Sequence, residues 1–161
     1  FSQPLPWRLH QHLSLRLFTD ASGFAWGAEV SLPSGPLVLR DYWTSSVMTH
    51  DICVKETLAL FFALQSISEQ IWDRRVDAFV DNEGLFHAWS GLKASSPQLN
   101  DVLRNIFLML LEFNASLRLF WVPSADNSAD APSHLRSRAD SCLSPRLRAT
   151  LRCSMIAGVQ L

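Results

Sequence analysis

The sequence has no strong excess of charge of either sign. Fourteen Lys and Arg residues stand against fifteen Asp and Glu residues, so the formal net charge is −1 at pH 7. This balance excludes a strongly basic nucleic-acid-binding protein and an acidic disordered tail. Any nucleic acid that the chain binds must therefore be held by local groups.

Cysteine and long hydrophobic runs are also scarce. The three cysteines, Cys53, Cys142 and Cys153, lie far apart and form no Cys-x-x-Cys pair. This spacing indicates neither a zinc framework nor a disulfide scaffold, and it favours a reducing compartment. No apolar run approaches the ~18 residues of a membrane span, and the first residues lack a signal-peptide pattern.

The length of the chain fits one domain with a substantial core, because 48% of its 161 residues are hydrophobic. We expect a lead-in linker at residues 1–12, a globular domain at 13–135 and a basic tail or additional helix at 136–161. The last segment carries five arginines and one acid, Asp140. A tail is the expected reading, and a contact with a nucleic-acid backbone is the alternative.

Alternation of apolar and polar residues predicts five strands, the first three of which form an antiparallel meander. The first predicted strand starts at residue 13 and runs into the turn cluster at residues 19–23. The others cover residues 25–31, 37–43, 75–80 and 116–122. Helical spacing separates the later strands and predicts an α/β domain. The element order is strand, strand, strand, helix, strand, helix, helix, strand, helix.

The long helices have recognisable starts. Asp51 is a plausible N-cap for a helix that reaches about Ser68. A second helix ends near Gly91, and Asn100 is predicted to cap the third. The third helix has an apolar stripe of residues three and four positions apart. Its members are Leu103, Ile106, Phe107, Leu110 and Leu111.

Two aspartates follow strands that are predicted to be neighbours. Asp20 closes the first strand and Asp81 closes the fourth. A right-handed crossover through the first helix would make these strands parallel, so both carboxylates would emerge at one edge of the sheet. Two like charges at that edge would repel each other without a cation.

A glutamate lies on the inward face of the first helix. Ile52 stands four positions before Glu56, and Ala59 and Ala63 stand three and seven positions after it. No Lys or Arg lies three or four positions away, although a buried carboxylate needs a partner or a proton. This position is therefore a candidate metal ligand.

A fourth carboxylate, Asp130, lies in a short helical turn that Asn127 opens and that extends to about Leu135. Asp126 directly follows the last strand and fits a surface loop better. With Asp130, the cluster consists of oxygen ligands alone, which suit Mg²⁺ or Mn²⁺ rather than zinc. The natural chemistry of such a cluster is phosphodiester hydrolysis with two metal ions.

At these residues the sequence resembles the ribonuclease H family. The resemblance is strongest to the ribonuclease H domains of reverse transcriptases from DIRS-type retroelements and hepadnavirus-like polymerases. Five motifs carry it, within positions 18–133. They are residues 18–22 (FTDAS), 26–27 (WG), 55–60 (KETLAL), 80–82 (VDN) and 121–133 (WVPSADNSADAPS).

The resemblance implies a five-stranded mixed sheet flanked by helices and an endonuclease that cleaves the RNA strand of RNA/DNA hybrids. It also implies two Mg²⁺ ions, which Mn²⁺ can replace, and products with a 3′-hydroxyl and a 5′-phosphate. The implied catalytic and metal-binding residues are Asp20, Glu56, Asp81 and Asp130. The implied partners are the hybrid and the reverse transcriptase domain of the same polyprotein, in the cytoplasm, a virus-like particle or the nucleus. We expect the isolated domain to be monomeric.

Some residues near the acids leave their roles open. Ser22 and Asn82 adjoin the aspartates and are candidates for substrate binding through a phosphate or a 2′-hydroxyl, or they are plain turn and cap residues. Cellular ribonucleases H carry a histidine in the loop before the fourth acid, and this chain does not. His134 is therefore either an ordinary helix residue or a substitute proton carrier.

Two other functions use the same acids differently. The chain could be a catalytically silent module that connects polymerase domains or binds hybrids. It could also be a DNA-cleaving nuclease of the integrase and transposase type, which the ending of the last motif disfavours.

Overall fold

The computed structural model of the chain describes residues 14–134. Five strands form one mixed sheet in the order β3-β2-β1-β4-β5. They are β1 (Leu15–Ala21), β2 (Ala25–Leu32), β3 (Gly35–Tyr42), β4 (Arg75–Val80) and β5 (Ser116–Trp121). The first three strands pair antiparallel, whereas β1, β4 and β5 run parallel. The predicted fold class, with three antiparallel strands followed by two parallel ones, is confirmed.

The register of β1 and β4 determines where the two aspartates lie. Phe18 pairs with Phe79 across these parallel strands. Asp20 stands two residues after Phe18, and Asp81 stands two residues after Phe79, directly beyond the end of β4. Both aspartates therefore reach the same edge of the sheet. The crossover between these strands runs through a largely buried helix at residues 52–66, as the sequence predicted.

Six helices and one 3₁₀ turn complete the described chain. The helices are α1 (Ser45–Met48), α2 (Ile52–Ser66), α3 (Ser68–Ile71), α4 (Glu83–Gly91), α5 (Pro97–Glu112) and α6 (Asp130–Ser133), and the 3₁₀ turn is Ser124–Asp126. The side chain of Asp51 caps α2 by accepting a hydrogen bond of 2.8 Å from the backbone N–H of Cys53. The prediction of this cap is confirmed.

The predicted cap of the third long helix is wrong. The helix starts at Pro97, and Ser96 caps it by accepting a hydrogen bond from the backbone N–H of Leu99. Serine followed by proline is a strong start signal, because proline at the first helical position loses no hydrogen bond. Asn100 lies inside α5, and its side chain binds both backbone groups of Ala94 in the preceding loop.

The apolar stripes are narrower than predicted. Ile52, Phe107 and Leu111 are 46%, 45% and 43% exposed, although the spacing placed them inward. Spacing alone does not show how wide a face the neighbouring element covers, so residues at the edge of a stripe are misassigned. The helical turn that was predicted to open at Asn127 starts later, because within residues 127–134 only α6 is helical and it begins at Asp130.

The two faces of the sheet carry different helices. Trp26 of β2 packs on Phe62 of α2, with ring centroids 5.8 Å apart. The next residue, Gly27, points to the other face, because side chains alternate along a strand. There it lies directly against α6, so α2 and α6 cover opposite faces.

Two further expectations concern the ends of the chain and membranes. The predicted linker at residues 1–12 and tail at residues 136–161 lie outside the described residues. Within residues 14–134, no helix has the length and hydropathy that crossing a membrane requires.

Candidate active site

Three carboxylates meet at the edge where β1 and β4 end. Asp20, Glu56 and Asp81 each offer one carboxylate oxygen, and these three oxygens all lie within 4.8 Å of one another. We call these residues the inner triad. Asp20 lies in β1, Glu56 lies in α2 and Asp81 directly follows β4, so these three elements set the geometry.

The inner triad contains an unusual buried oxygen. Glu56 is only 4% exposed, and its Oε2 atom has no hydrogen-bond partner among the described residues. The backbone of Ala21 provides a hydrogen bond to the same carboxyl group. A buried carboxylate oxygen without a partner is costly, so its position fits a bound cation.

The environment of the inner triad raises the pKa of two of its carboxyl groups. Burial raises the pKa of Glu56 to about 9, and repulsion from Asp20 and Asp81 acts in the same direction. Burial also raises the pKa of Asp20 to about 6, against the effect of a hydrogen bond from Ser133. A divalent cation would reverse both shifts, because it favours the ionised carboxylates.

A second group of ligand atoms adjoins the inner triad. Asp130 and His134, which we call the outer group, offer atoms that lie within 4.8 Å of each other and of a carboxylate oxygen of Asp20. Their side chains are 56% and 57% exposed. The Nδ1 atom of His134 lies 2.7 Å from the backbone oxygen of Asp130.

Asp20 belongs to the inner triad and also lies beside the outer group, so both sets of ligand atoms share it, and its two carboxylate oxygens can serve neighbouring cations. The donors are oxygens except for the imidazole of His134, so the set fits Mg²⁺ or Mn²⁺. Asp126 belongs to neither group within residues 14–134. The structure thus brings together all four acids that the sequence singled out, and it places His134 beside the fourth.

The two predicted substrate-binding side chains form internal hydrogen bonds. The hydroxyl of Ser22 lies 2.8 Å from the backbone oxygen of Ser133, to which it donates, and it accepts from the backbone N–H of Ala25. The side chain of Asn82 caps α4 by accepting from the backbone N–H of Leu85 at 2.9 Å. Their role in substrate binding stays a prediction.

Sequence reasoning missed two residues that hold the site in place. Lys55 is buried beside Glu56, and its ammonium group donates to the backbone oxygens of Gly23 and Met48 at 3.0 and 2.8 Å. The indole of Trp121 donates to the backbone oxygen of Asp81 at 3.0 Å. The contacts of Lys55 with Gly23 and of Trp121 with Asp81 join residues 32 and 40 positions apart, so no local spacing signals them.

A third missed residue is Ser133, whose hydroxyl lies within hydrogen-bonding distance of Asp20. It belongs to a helix of four residues, which is too short to show a periodic pattern. Its place in the last motif was visible in the sequence, but its contact was not.

Solved structures with a similar fold are ribonucleases H. RNase H1 from the halophilic archaeon Halobacterium salinarum NRC-1 is 20% identical, with a TM-score of 0.61, over 74% of this chain and 93% of that chain. LC11-RNase H1 in complex with an RNA/DNA hybrid is 20% identical, with a TM-score of 0.63 and the same two coverages. The N-terminal RNase H domain of a Mycobacterium tuberculosis protein is 19% identical, with a TM-score of 0.56, over 74% and 95%.

No family model matches the sequence, and no curated protein matches it. The structural similarity extends over 74% of the chain. Together with the strand order β3-β2-β1-β4-β5, it shows that this chain has the ribonuclease H-like fold.

Proposed function

We propose that the chain is a metal-dependent endonuclease that hydrolyses the RNA strand of RNA/DNA hybrids. One observation carries this proposal: the inner triad gathers three carboxylates, and one buried oxygen of Glu56 has no partner within residues 14–134. A purely structural site would satisfy or neutralise these groups with neighbouring side chains. Here the acids face one another instead, which is an arrangement that a cation stabilises.

Two cations fit the distribution of ligand atoms. Asp20, Glu56 and Asp81 would hold one, and Asp20 and Asp130 would hold the other, with His134 close to the second. When bound, two Mg²⁺ ions activate water and stabilise the leaving oxygen of a phosphodiester. The chain's own contribution is to fix the carboxylates in place through β1, β4 and α2, and to keep Glu56 and Asp20 away from bulk water.

The hybrid is the proposed substrate for two reasons. One similar structure, LC11-RNase H1, is in complex with an RNA/DNA hybrid. The motifs of this chain resemble those of ribonuclease H domains fused to reverse transcriptases. We therefore infer that the chain acts during reverse transcription beside a polymerase domain, in the cytoplasm or a virus-like particle, with the nucleus as the alternative.

Cleavage of an end-labelled RNA/DNA hybrid in Mg²⁺ and in Mn²⁺ tests the proposal. Duplex DNA and single-stranded RNA serve as competing substrates, and the product ends are analysed for a 3′-hydroxyl and a 5′-phosphate. The Asp81→Asn variant keeps the shape of the side chain and removes its charge. We expect cleavage of the hybrid alone, with a loss of about 100-fold or more in the variant, because metal ions supply several kcal/mol of transition-state stabilisation.

Asp126→Asn is the matched control, because Asp126 is an exposed aspartate in the 3₁₀ turn outside both ligand groups. This variant is expected to cleave like the native chain. Cleavage of duplex DNA would favour the integrase-type alternative. Hybrid binding by a folded chain that cleaves nothing in either metal would favour the silent module.

A further inference from the structure

Helix α6 is fixed to the sheet by a contact that only glycine permits. A Cβ atom on Gly27 would lie 2.5 Å from the backbone nitrogen of Ser133 and 2.6 Å from Pro132. Both distances are far shorter than a normal contact between such atoms. The backbone of α6 therefore rests directly on β2, and its position cannot vary without losing this contact.

Further hydrogen bonds hold Ser133 itself. Its backbone oxygen accepts from the hydroxyl of Ser22 at 2.8 Å, and its backbone N–H donates to Ala129 at 3.1 Å. The side chain of Asn127, just before α6, donates to the backbone oxygen of Thr19 at 2.9 Å. Ser133 is fully buried, so its hydroxyl has a defined place between β1 and α6.

The hydroxyl of Ser133 has one proton and three polar neighbours. The neighbours are a carboxylate oxygen of Asp20, the backbone oxygen of Asp130 at 2.9 Å and the Nδ1 atom of His134 at 3.1 Å. An ionised carboxylate accepts hydrogen bonds and cannot donate them, and it is a stronger acceptor than a backbone carbonyl. When Asp20 is ionised, the proton of Ser133 therefore points to Asp20.

We propose that Ser133 is a positioning residue of the metal centre, because its hydroxyl donates to Asp20 and fixes the orientation of the carboxylate that both ligand groups share. This inference rests on the proposed function. Ser133 also belongs to the same short helix as Asp130, so one rigid contact with β2 places both the fourth acid and the donor that orients the first. Partners that orient metal ligands typically affect metal affinity or activity by about 10- to 100-fold.

The variant Ser133→Ala tests the proposal in the full chain. Removal of the hydroxyl is expected to weaken Mn²⁺ binding by about tenfold or more in calorimetry. The half-saturating Mg²⁺ concentration for hybrid cleavage should rise by a similar factor, whereas KM for the hybrid at saturating metal should stay unchanged. If Ser133 only anchored α6, its replacement would lower the melting temperature and leave both the Mn²⁺ affinity and the half-saturating Mg²⁺ concentration unchanged.

A metal-independent measurement accompanies the titrations. Three-bond NMR couplings of the Asp20 side chain, recorded without metal, report whether it keeps one rotamer. We expect one rotamer in the native chain and averaging over several in Ser133→Ala. The matched control is Ser66→Ala, which removes a hydroxyl that donates to the backbone oxygen of Phe62 inside α2, away from the ligand groups.

The outcomes separate this inference from the proposed function. Unchanged Asp20 couplings and unchanged Mn²⁺ affinity in Ser133→Ala would overturn the role of Ser133 even if the native chain cleaves hybrids. A native chain that neither binds Mn²⁺ nor cleaves hybrids would overturn the proposed function. In that case the couplings alone would decide whether Ser133 orients Asp20.

Discussion

The inner triad and the outer group are held in place in opposite ways. Asp20 and Glu56 are 5% and 4% exposed and belong to a central strand and a long helix. Asp130 and His134 are more than half exposed; Asp130 begins the four-residue helix α6, and His134 directly follows it. The inner triad gains its geometry from secondary structure, whereas the outer group depends on contacts between α6 and the sheet.

This difference has an energetic consequence. The inner triad keeps carboxylates in a buried environment that raises the pKa values of Asp20 and Glu56, so a chain without metal is destabilised at that edge. The outer group is exposed to water, which screens its charges. Substitutions that remove a charge from the inner triad should therefore raise stability without metal and lower activity. Substitutions around the outer group should not raise stability while they lower activity.

The largest expected effect is that of Glu56→Gln. Loss of this ligand should lower hybrid cleavage by about 100- to 1,000-fold, which corresponds to several kcal/mol of lost metal stabilisation. The same variant should raise the melting temperature in EDTA, because the amide does not have to be protonated or ionised in a buried place. The control is Glu112→Gln at the exposed end of α5, which should alter neither quantity.

The pH dependence of stability sharpens this prediction. The folded chain keeps a proton on Glu56 that the unfolded chain releases above the usual pKa of 4.5. Because the folded state then binds more protons, stability without metal should fall as the pH rises from 4.5 to about 9. In EDTA, the melting temperature should depend less on pH for Glu56→Gln than for the native chain. An equally steep dependence in the variant would contradict the raised pKa of Glu56.

Gly27→Ala is the next largest perturbation, and it acts on the outer group. A methyl group at this position would collide with the backbone of Pro132 and Ser133, so α6 would have to move. We expect a loss of about 1–3 kcal/mol in the free energy of unfolding, as overpacking typically causes. Cleavage should fall as well, since Asp130 moves with α6.

Gly23→Ala is the matched control for this variant. Apart from Gly23 and its two chain neighbours, no residue within 14–134 has an atom closer than 4 Å to a Cβ on Gly23. Its substitution should therefore change the free energy of unfolding by less than about 0.5 kcal/mol. Chemical denaturation of both variants makes the comparison. Equal stability of the two would mean that α6 is not tightly fixed to β2.

The same contrast explains what the sequence could predict. Period-two alternation and helical spacing located the strand ends at Asp20 and Asp81 and the inward position of Glu56. These signals are local, and they need only the rule that a crossover joins parallel strands. The α/β element order and the meeting of Asp20, Glu56 and Asp81 follow from them, whereas the ribonuclease H-like fold class also depended on the resemblance of the motifs.

Features that depend on contacts between distant segments were not predictable in this way. The close approach at Gly27 and the hydroxyl of Ser133 join residues more than 100 positions apart. The start of α5, in contrast, does have a local signal, which is Ser96 followed by Pro97 rather than Asn100. The exposure of Phe107 depends on which face of α5 its neighbours cover, which spacing does not reveal.

The smallest expected effect is that of His134→Ala, and it decides between the two interpretations of this residue. Nδ1 of His134 lies 2.7 Å from the backbone oxygen of Asp130, so it donates a hydrogen bond to the first residue of α6, the short helix that it follows. An exposed pair of this kind contributes less than about 1 kcal/mol to folding. Hybrid cleavage at saturating metal should therefore stay close to that of the native chain, because the imidazole only donates a hydrogen bond to the backbone of α6.

A loss of about 100-fold, which is typical when a general acid or base is removed, would instead make His134 the proton carrier. Such a loss would also show that the exposed outer group contributes to the chemistry as directly as the buried inner triad does.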